Sequence, residues 1–221
     1  MIIDYKKAFG SVEPSFVWIA LSVQGVQKDY IDLHVECYTG CSTFFKPFHR
    51  EIEVQTSKGV RQGDSISPVL FSACLEEVIK HCKWANGRNL THLRFADDIV
   101  LITGTPDEAT SMINSLNWEG KEVGLVINTQ KTIVMRNSFS QQDPIYLDGF
   151  PLEDVEEYVY LGRVLTISNG LAPELQRRKA GWAAFRTIRT VTDATNDSRL
   201  KSELFNSTVL LALIMPVKLG L

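Results

Sequence analysis

Two aspartates stand side by side between two apolar segments, in the run Leu93-Arg94-Phe95-Ala96-Asp97-Asp98-Ile99-Val100-Leu101-Ile102. Few arrangements constrain a chain more. The flanks have the β-branched and aliphatic content of strands, and the polar centre is long enough only for a turn. The run therefore reads as a hairpin with both carboxylates at its tip. Like charges this close raise each other's pKa unless a cation sits between them. Hard oxygen donors suit Mg²⁺, which takes one or two carboxylates and keeps positions for water and phosphate. Taken alone, an Asp-Asp turn is more commonly a solvated turn.

Asp4 adds to the pattern. Met1-Ile2-Ile3-Asp4-Tyr5 reads as a short buried strand that also delivers a carboxylate at its end. A third carboxylate beside the hairpin would make a cluster able to hold two metal ions, the arrangement that clamps an in-line phosphoryl displacement.

The rest of the chain supplies a scaffold of mixed type. Pro14 to Gly25 and Lys28 to Tyr38 are helix-like, with Gly25 as a stop. Cys41–Lys46 and Arg50–Thr56 form a strand pair joined through Pro47. Ser67-Pro68 opens a helix with Ser at the cap, and its body from Val69 to Cys82 is apolar nearly all round. Thr105-Pro106-Asp107-Glu108 is a capping box, followed by Ala109, Met112, Ile113, Leu116 and Val123 at helical spacing. Gly124–Asn128 and Lys131–Met135 flank a return to the sheet, Tyr158–Leu165 is a last strand, and from Leu171 the pattern is helical. Strand runs and helices in this order predict an α+β fold, an antiparallel sheet with helices packed on one face.

Composition sets the outer bounds. The 221 residues are 44% hydrophobic and 22% charged, enough for one large domain or a domain with an appendage, and unlike a coiled coil or a disordered tail. No apolar run reaches the roughly 18–20 residues of a bilayer span, and the N-terminus has no signal-peptide layout. Cys37, Cys41, Cys74 and Cys82 lack a Cys-x-x-Cys pair and read as reduced, mostly buried thiols, which points to cytoplasm or nucleus. Net charge is −3, yet Ala172 to Lys201 holds seven Lys/Arg against three acids, a local +4. Such asymmetry marks either a phosphate-facing surface or a solvated helix face.

Five segments in order then resemble the reverse transcriptase of non-LTR (LINE-type) retrotransposons. Asp4-Tyr5-Lys6-Lys7-Ala8-Phe9 resembles the first palm motif, and Gly59-Val60-Arg61-Gln62-Gly63-Asp64-Ser65-Ile66-Ser67-Pro68 the Gln-Gly…Ser-Pro motif. Phe95-Ala96-Asp97-Asp98 is similar to the Tyr/Phe-x-Asp-Asp box, Gly124-Leu125…Asn128…Lys131-Thr132 to the next motif, and Tyr160-Leu161-Gly162 to the primer-grip region. The resemblance implies a palm over residues 1–166 and a helical thumb over 167–221. It implies an RNA-directed DNA polymerase that joins dNTPs to a DNA primer on an RNA template, using two Mg²⁺ (or Mn²⁺) ions. Asp4 and Asp97 would be metal ligands, Asp98 a supporting carboxylate, and Lys131 the general acid that protonates pyrophosphate. The Tyr5 carbonyl would face a metal, the N–H groups near Lys7 and Ala8 the triphosphate, and Phe9 would be the steric gate against a 2′-hydroxyl. Arg61, Gln62 and Gly63 would line the nucleotide and template pocket. Leu161 and Gly162 would meet the primer, and Arg177, Arg178, Lys179 and Arg186 would grip the duplex backbone.

The sequence also departs from that family. The fingers, which would precede Asp4, are missing, so the chain alone is expected to be an inactive fragment. The remaining alternative is a non-catalytic RNA-binding remnant. Gly10 stands where the family has Asp, a lost helix cap for which Ser11 would substitute. From about Ile214 the tail does not resemble the family's continuation, as a frameshift would produce.

Overall fold

In chain order the protein runs β1 (Ile2–Ile3), α1 (Ala8–Ser11), α2 (Pro14–Val23), α3 (Lys28–Tyr38), β2 (Ser42–Phe45), β3 (Ile52–Gln55), α4 (Ser67–His81), β4 (His92–Phe95), β5 (Asp98–Leu101) and α5 (Pro106–Glu122). There follow β6 (Ile133–Val134), β7 (Tyr146–Leu147), β8 (Phe150–Pro151), β9 (Glu153–Asp154), β10 (Glu157–Tyr160), β11 (Arg163–Thr166), α6 (Ala172–Ala194), α7 (Ser198–Leu204), a π-helical turn (Phe205–Leu210) and α8 (Leu211–Ile214). This computed structural model describes residues 1–84, 90–167 and 172–214, and only the backbone of 172–174, 176, 177 and 214. The class is mixed α+β, as the sequence predicts.

Two units emerge, Met1–Val134 with Phe139–Asp154, and Met135–Ser138 with Val155–Leu221. The first is built on a five-stranded sheet of order β4-β5-β1-β6-β9. β1 pairs antiparallel with β5 (Ile2↔Val100, Ile3↔Ile99) and with β6 (Ile2↔Ile133). Side chains alternate along a strand, so these registers sort residues by face. Ile3, Ile99 and Leu101 turn to one side, at most 1% exposed, in a core with Val17 and Leu21 of α2, Phe71, Leu75 and Val78 of α4, and Ile113 and Leu116 of α5. Each such side chain contributes about 1.5–3 kcal/mol by leaving water. The other side of β1 and β5 carries Ile2 and Val100, and it is the side to which Asp98 belongs.

Local chemistry explains the elements. Thr105 Oγ1 accepts from the Glu108 N–H at 3.2 Å, as a capping box requires, while the Glu108 carboxylate reaches one residue further back and accepts from Gly104 at 2.7 Å. α4 keeps Pro68 in its first turn, but Ser67 is not its cap. Ser67 is fully buried, and its hydroxyl lies 3.2 Å from that of Tyr38, while Asp64 accepts from the Ile66 N–H at 3.1 Å. Gly10 is no cap either: it sits inside α1, whose N-cap is Lys7, and Ser11 Oγ donates to the Lys6 and Lys7 carbonyls.

Other expectations change as well. The sheet is not wholly antiparallel, since β6 and β9 run parallel. Tyr158–Leu165 is not one strand but the hairpin β10–β11, turning at Leu161 (φ 46) and Gly162 (φ 77). The strands β7 to β9, two residues each, are too short to show a pattern in the sequence. Of the four free cysteines, Cys74 and Cys82 are buried, whereas Cys37 is exposed and Cys41 half-buried. Residues 215–221, most of the atypical tail, lie outside the described residues.

In the second unit α6 packs against the π-helical turn and α8. They form an open pocket of about 390 Å³ lined by Arg178, Gly181, Trp182, Phe185, Phe205, Val209 and Leu213. Among the described residues no helix is long and apolar enough to cross a membrane.

Candidate active site

β4 and β5 pair through Phe95↔Asp98, so the turn between them is Ala96-Asp97. Asp98 is therefore the first residue of β5 and not part of the tip. Ala96 takes a left-handed φ of 51° to close the turn. Continuing the β1–β5 register by one pair sets Asp4 opposite Asp98. Alternation then turns both to the face away from the α4 and α5 core. Asp98 has its carboxyl raised above the ordinary carboxylate value, by burial first, then by Asp97, then by Asp4. Among the described residues no His, Cys, Asp or Glu trio stands closely enough to hold a metal ion.

Asp4 is held from the other side by the loop before β6. The Asn128 N–H donates to the Asp4 carbonyl at 2.7 Å, and the Asn128 side-chain amide donates to Asp4 Oδ2 at 3.2 Å. Asp4 N–H donates to Thr132 Oγ1 at 3.3 Å, and Thr132 is fully buried. Next in line, Tyr5 bridges to Ile127, flanked by the bonds Lys6 N–H to Val126 and Asn128 N–H to Asp4. In such a narrow antiparallel pair the central residue's own carbonyl points away from its partner. The Tyr5 carbonyl thus faces the side of β5 and its turn. Lys131 lies in the same loop, its N–H bonded to the Asn128 carbonyl at 3.2 Å and its side chain exposed.

The segment after Asp4 is tied to the loop before α4. Lys7, exposed, has a left-handed φ of 50°, and Ala8 is buried. Phe9 is half-buried, its ring stacked on Phe71 at 4.7 Å. The Val60 N–H donates to the Phe9 carbonyl at 2.6 Å and the Gly59 N–H to Val12 at 2.8 Å. Gln62 and Gly63 lie exposed in a turn closed by Asp64 N–H to the Arg61 carbonyl at 3.4 Å. Arg61 is directed elsewhere. Its guanidinium donates to the Cys37 carbonyl (2.5 Å) and to Cys41 Sγ (2.8 Å) and lies 5.0 Å from the Tyr38 ring centroid.

The remaining candidates belong to the second unit. Leu161 and Gly162 form the tip of β10–β11, and Arg178, Lys179 and Arg186 are exposed on α6. The Arg177 side chain lies outside the described residues. Part of the basic stretch is internally compensated, because Arg189 pairs with Asp193 and Arg199 with Glu203. Sequence reasoning assigned no role to Asn128, Thr132 or Tyr38. Asn128 stood inside a recognised motif, but only the register shows what its amide holds.

Comparison with known proteins agrees with the motif order. An uncharacterized transposon-derived protein of Caenorhabditis elegans is 48% identical over 134 residues, 58% of this chain and 48% of its own length. The Pol polyprotein of the type-1 retrotransposable element R2 of Nasonia vitripennis is 27% identical over 136 residues, 59% of this chain and 13% of the polyprotein. The telomerase reverse transcriptase of Mus musculus is 32% identical over 98 residues, 44% of this chain and 7% of that protein. The chain thus spans about half the length of the first relative and far less of the other two. The pattern described as reverse transcriptase (RNA-dependent DNA polymerase) matches residues 1–165. This chain belongs to the reverse transcriptase family, and its R2 relatives set it beside the polymerases of non-LTR retrotransposons.

Proposed function

We propose that the chain is the polymerising segment of an RNA-directed DNA polymerase, adding deoxynucleotides from dNTPs to the 3′ end of a DNA primer on an RNA template. The observation that carries this reading is the register that sets Asp4 opposite Asp98, one residue from Asp97, with the Asp98 carboxyl raised by burial and then by both neighbours. No basic side chain forms an ion pair with the three acids among the described residues, so their charge calls for a cation from outside. Asp4 and Asp97, with the Tyr5 carbonyl, would hold two Mg²⁺ or Mn²⁺ ions, and Asp98 would support them. When bound, the ions neutralise charge on the attacking and leaving oxygens.

The chain's own residues have the remaining tasks. Asn128 and Thr132 fix Asp4. Phe9, held from behind by Phe71, sits under the incoming sugar and leaves no room for a 2′-hydroxyl. Gln62 and Gly63 lie beside the nucleotide and template, and Lys131 protonates the pyrophosphate. Leu161 and Gly162 support the primer, and α6 contributes phosphate contacts through Arg177, Arg178, Lys179 and Arg186. Extension by residues 1–221 alone is weak on this reading, since edge strand β4 leaves Leu93 and Phe95 exposed.

Primer extension on an RNA template with Mg²⁺ tests the assignment. Asp97→Asn lowers the rate by about a hundredfold or more, the scale of losing one preorganised charge contact in a transition state. Extension that survives Asp97→Asn removes the catalytic assignment. Among the described residues no three His, Cys, Asp or Glu side chains are gathered around one point, and this favours one other reading, a non-catalytic RNA-binding protein. Salt-sensitive RNA binding with no metal-dependent extension is its signature.

A further inference from the structure

The ribbon β2–β3 has no counterpart in the proposed chemistry. It is a two-stranded sheet by itself, paired from Ser42↔Gln55 to Phe45↔Ile52 and closed at its base by Thr56 N–H to the Cys41 carbonyl at 2.8 Å. Isolated ribbons of this size are marginal in water. By register, Thr43, Phe45, Ile52 and Val54 share one face, and none of the described residues covers it: Phe45, Ile52 and Val54 are all exposed. At the tip Phe48 is 86% exposed. From Phe44 to Arg50 the sequence Phe-Phe-Lys-Pro-Phe-His-Arg contains Lys46, His49 and Arg50 and no acid; Glu51 and Glu53 follow on the return strand. None of the three basic side chains has an ion-pair partner among the described residues.

We propose that this ribbon is a docking surface for single-stranded RNA, with Phe45 and Phe48 stacking on bases and Lys46 and Arg50 meeting phosphates. Charge complementarity selects this occupant. Exposed rings interleaved with uncompensated cations are what a flexible polyanion with free base faces requires. The centre of a protein–protein interface is instead depleted in charge, lysine above all. A duplex offers its bases only at the ends of the stack, so protruding rings discriminate in favour of a single strand. The ribbon also leads directly, through Ser57 and Lys58, into Gly59–Gly63. The inference deepens the polymerase reading and rests on it for the identity of the RNA, which is the unpaired template approaching Gln62 and Gly63.

Binding of the full chain to a labelled unstructured RNA of about 16 nucleotides, the upper range of one such site, is measured by fluorescence anisotropy in a chelating buffer. Removing divalent ions separates docking from catalysis. Phe48→Ser weakens binding about 5- to 150-fold, the effect of one stacked base. Lys46→Ala with Arg50→Ala reduces the slope of log affinity against log salt by about 1.4, two phosphate contacts on a single strand. Trp118→Ser, which removes another exposed ring, on α5, leaves the affinity unchanged. Unlabelled single strand competes better than duplex RNA of the same sequence.

Wild-type affinity and salt slope in the ribbon variants overturn the proposal, as does equal competition by duplex. A dimer that Phe45→Ser dissociates with RNA affinity intact overturns it too, in favour of an interface between copies. The two readings fail separately. Loss of RNA affinity in the ribbon variants, with primer extension that survives Asp97→Asn, leaves the docking surface standing and removes the polymerase. Extension by the wild type with unchanged RNA binding in the ribbon variants does the reverse.

Discussion

Replacing Gly59 by alanine strikes the point where two motifs distant in sequence touch. Gly59 has a φ of 82°, and a Cβ added there would stand 2.6 Å from the Gly10 Cα and 2.6 Å from the Phe9 carbonyl oxygen. Both are backbone atoms, so no side chain can swing aside. The left-handed conformation costs an L-residue about 1–2 kcal/mol. Separating the two segments also stretches the bonds from Gly59 to Val12 and from Val60 to Phe9, at about 1 kcal/mol each. The expected loss is about 3–4 kcal/mol, a large part of the 5–15 kcal/mol that holds a typical domain together. Gly10→Ala is the internal contrast. Its added Cβ meets no described residue within 4 Å, and inside α1 alanine gains about 0.5–1 kcal/mol over glycine. Urea unfolding reads both as shifts in midpoint at constant slope. A Gly59→Ala midpoint within about 0.5 kcal/mol of wild type would falsify the contact between the Phe9 and Val60 segments.

Three further changes have definite signs. Tyr5 is buried, and its hydroxyl has no hydrogen-bond partner among the described residues, so Tyr5→Phe raises stability by about 1 kcal/mol in urea unfolding; a clear loss would reveal a partner for that oxygen. Phe9→Val removes the ring stacked on Phe71 and costs about 1–2 kcal/mol for a half-buried site, and on the proposed function it also admits ribonucleotides in primer extension; neither effect occurs if Phe9 is a surface residue without that contact. The Asp148 carboxyl is held below the ordinary carboxylate value, chiefly by Lys121 (2.7 Å) and also by Asn117 (3.0 Å). Its stabilising effect is thus complete above about pH 4, the unfolded value, and fades as pH falls through the lower folded value. Wild type and Asp148→Asn therefore converge in acid, and a gap that stays constant down to about pH 2 contradicts the pairing.

What the sequence made legible was local. Lys28 to Tyr38 forms α3 at the predicted residues, and Thr105 caps α5, because amphipathic spacing and a capping side chain act within a turn or two. Where tertiary context decides, the reading failed. Tyr160-Leu161-Gly162-Arg163 has no polar turn residue besides glycine, and Leu161 adopts its left-handed φ only because β10 and β11 pair around it. Asp148-Gly149 is a strong short hairpin signal, but two-residue strands offer no alternation to read, so β7 and β8 were missed. For the site, the order of carboxylates was readable and their faces were not. A hairpin tip was expected to hold both Asp97 and Asp98, whereas pairing with Phe95 draws Asp98 into the strand and sets it across from Asp4.

That register gives Asn128 a larger part than its neutral side chain suggests. Three bonds from one short loop hold Asp4: two from Asn128 and one to Thr132. Lys131 lies between those anchors, so its position relative to Asp4 is set within four residues of backbone and not across the fold. The amide also suits the electrostatics. It donates to Oδ2 of Asp4 and makes no claim on the lone pairs of the other oxygen. Aspartate at position 128 could not donate that bond and would add a fourth negative charge to the cluster. A neutral donor that orients without neutralising keeps the cluster's charge available to a cation, whereas a lysine or arginine there would cancel it.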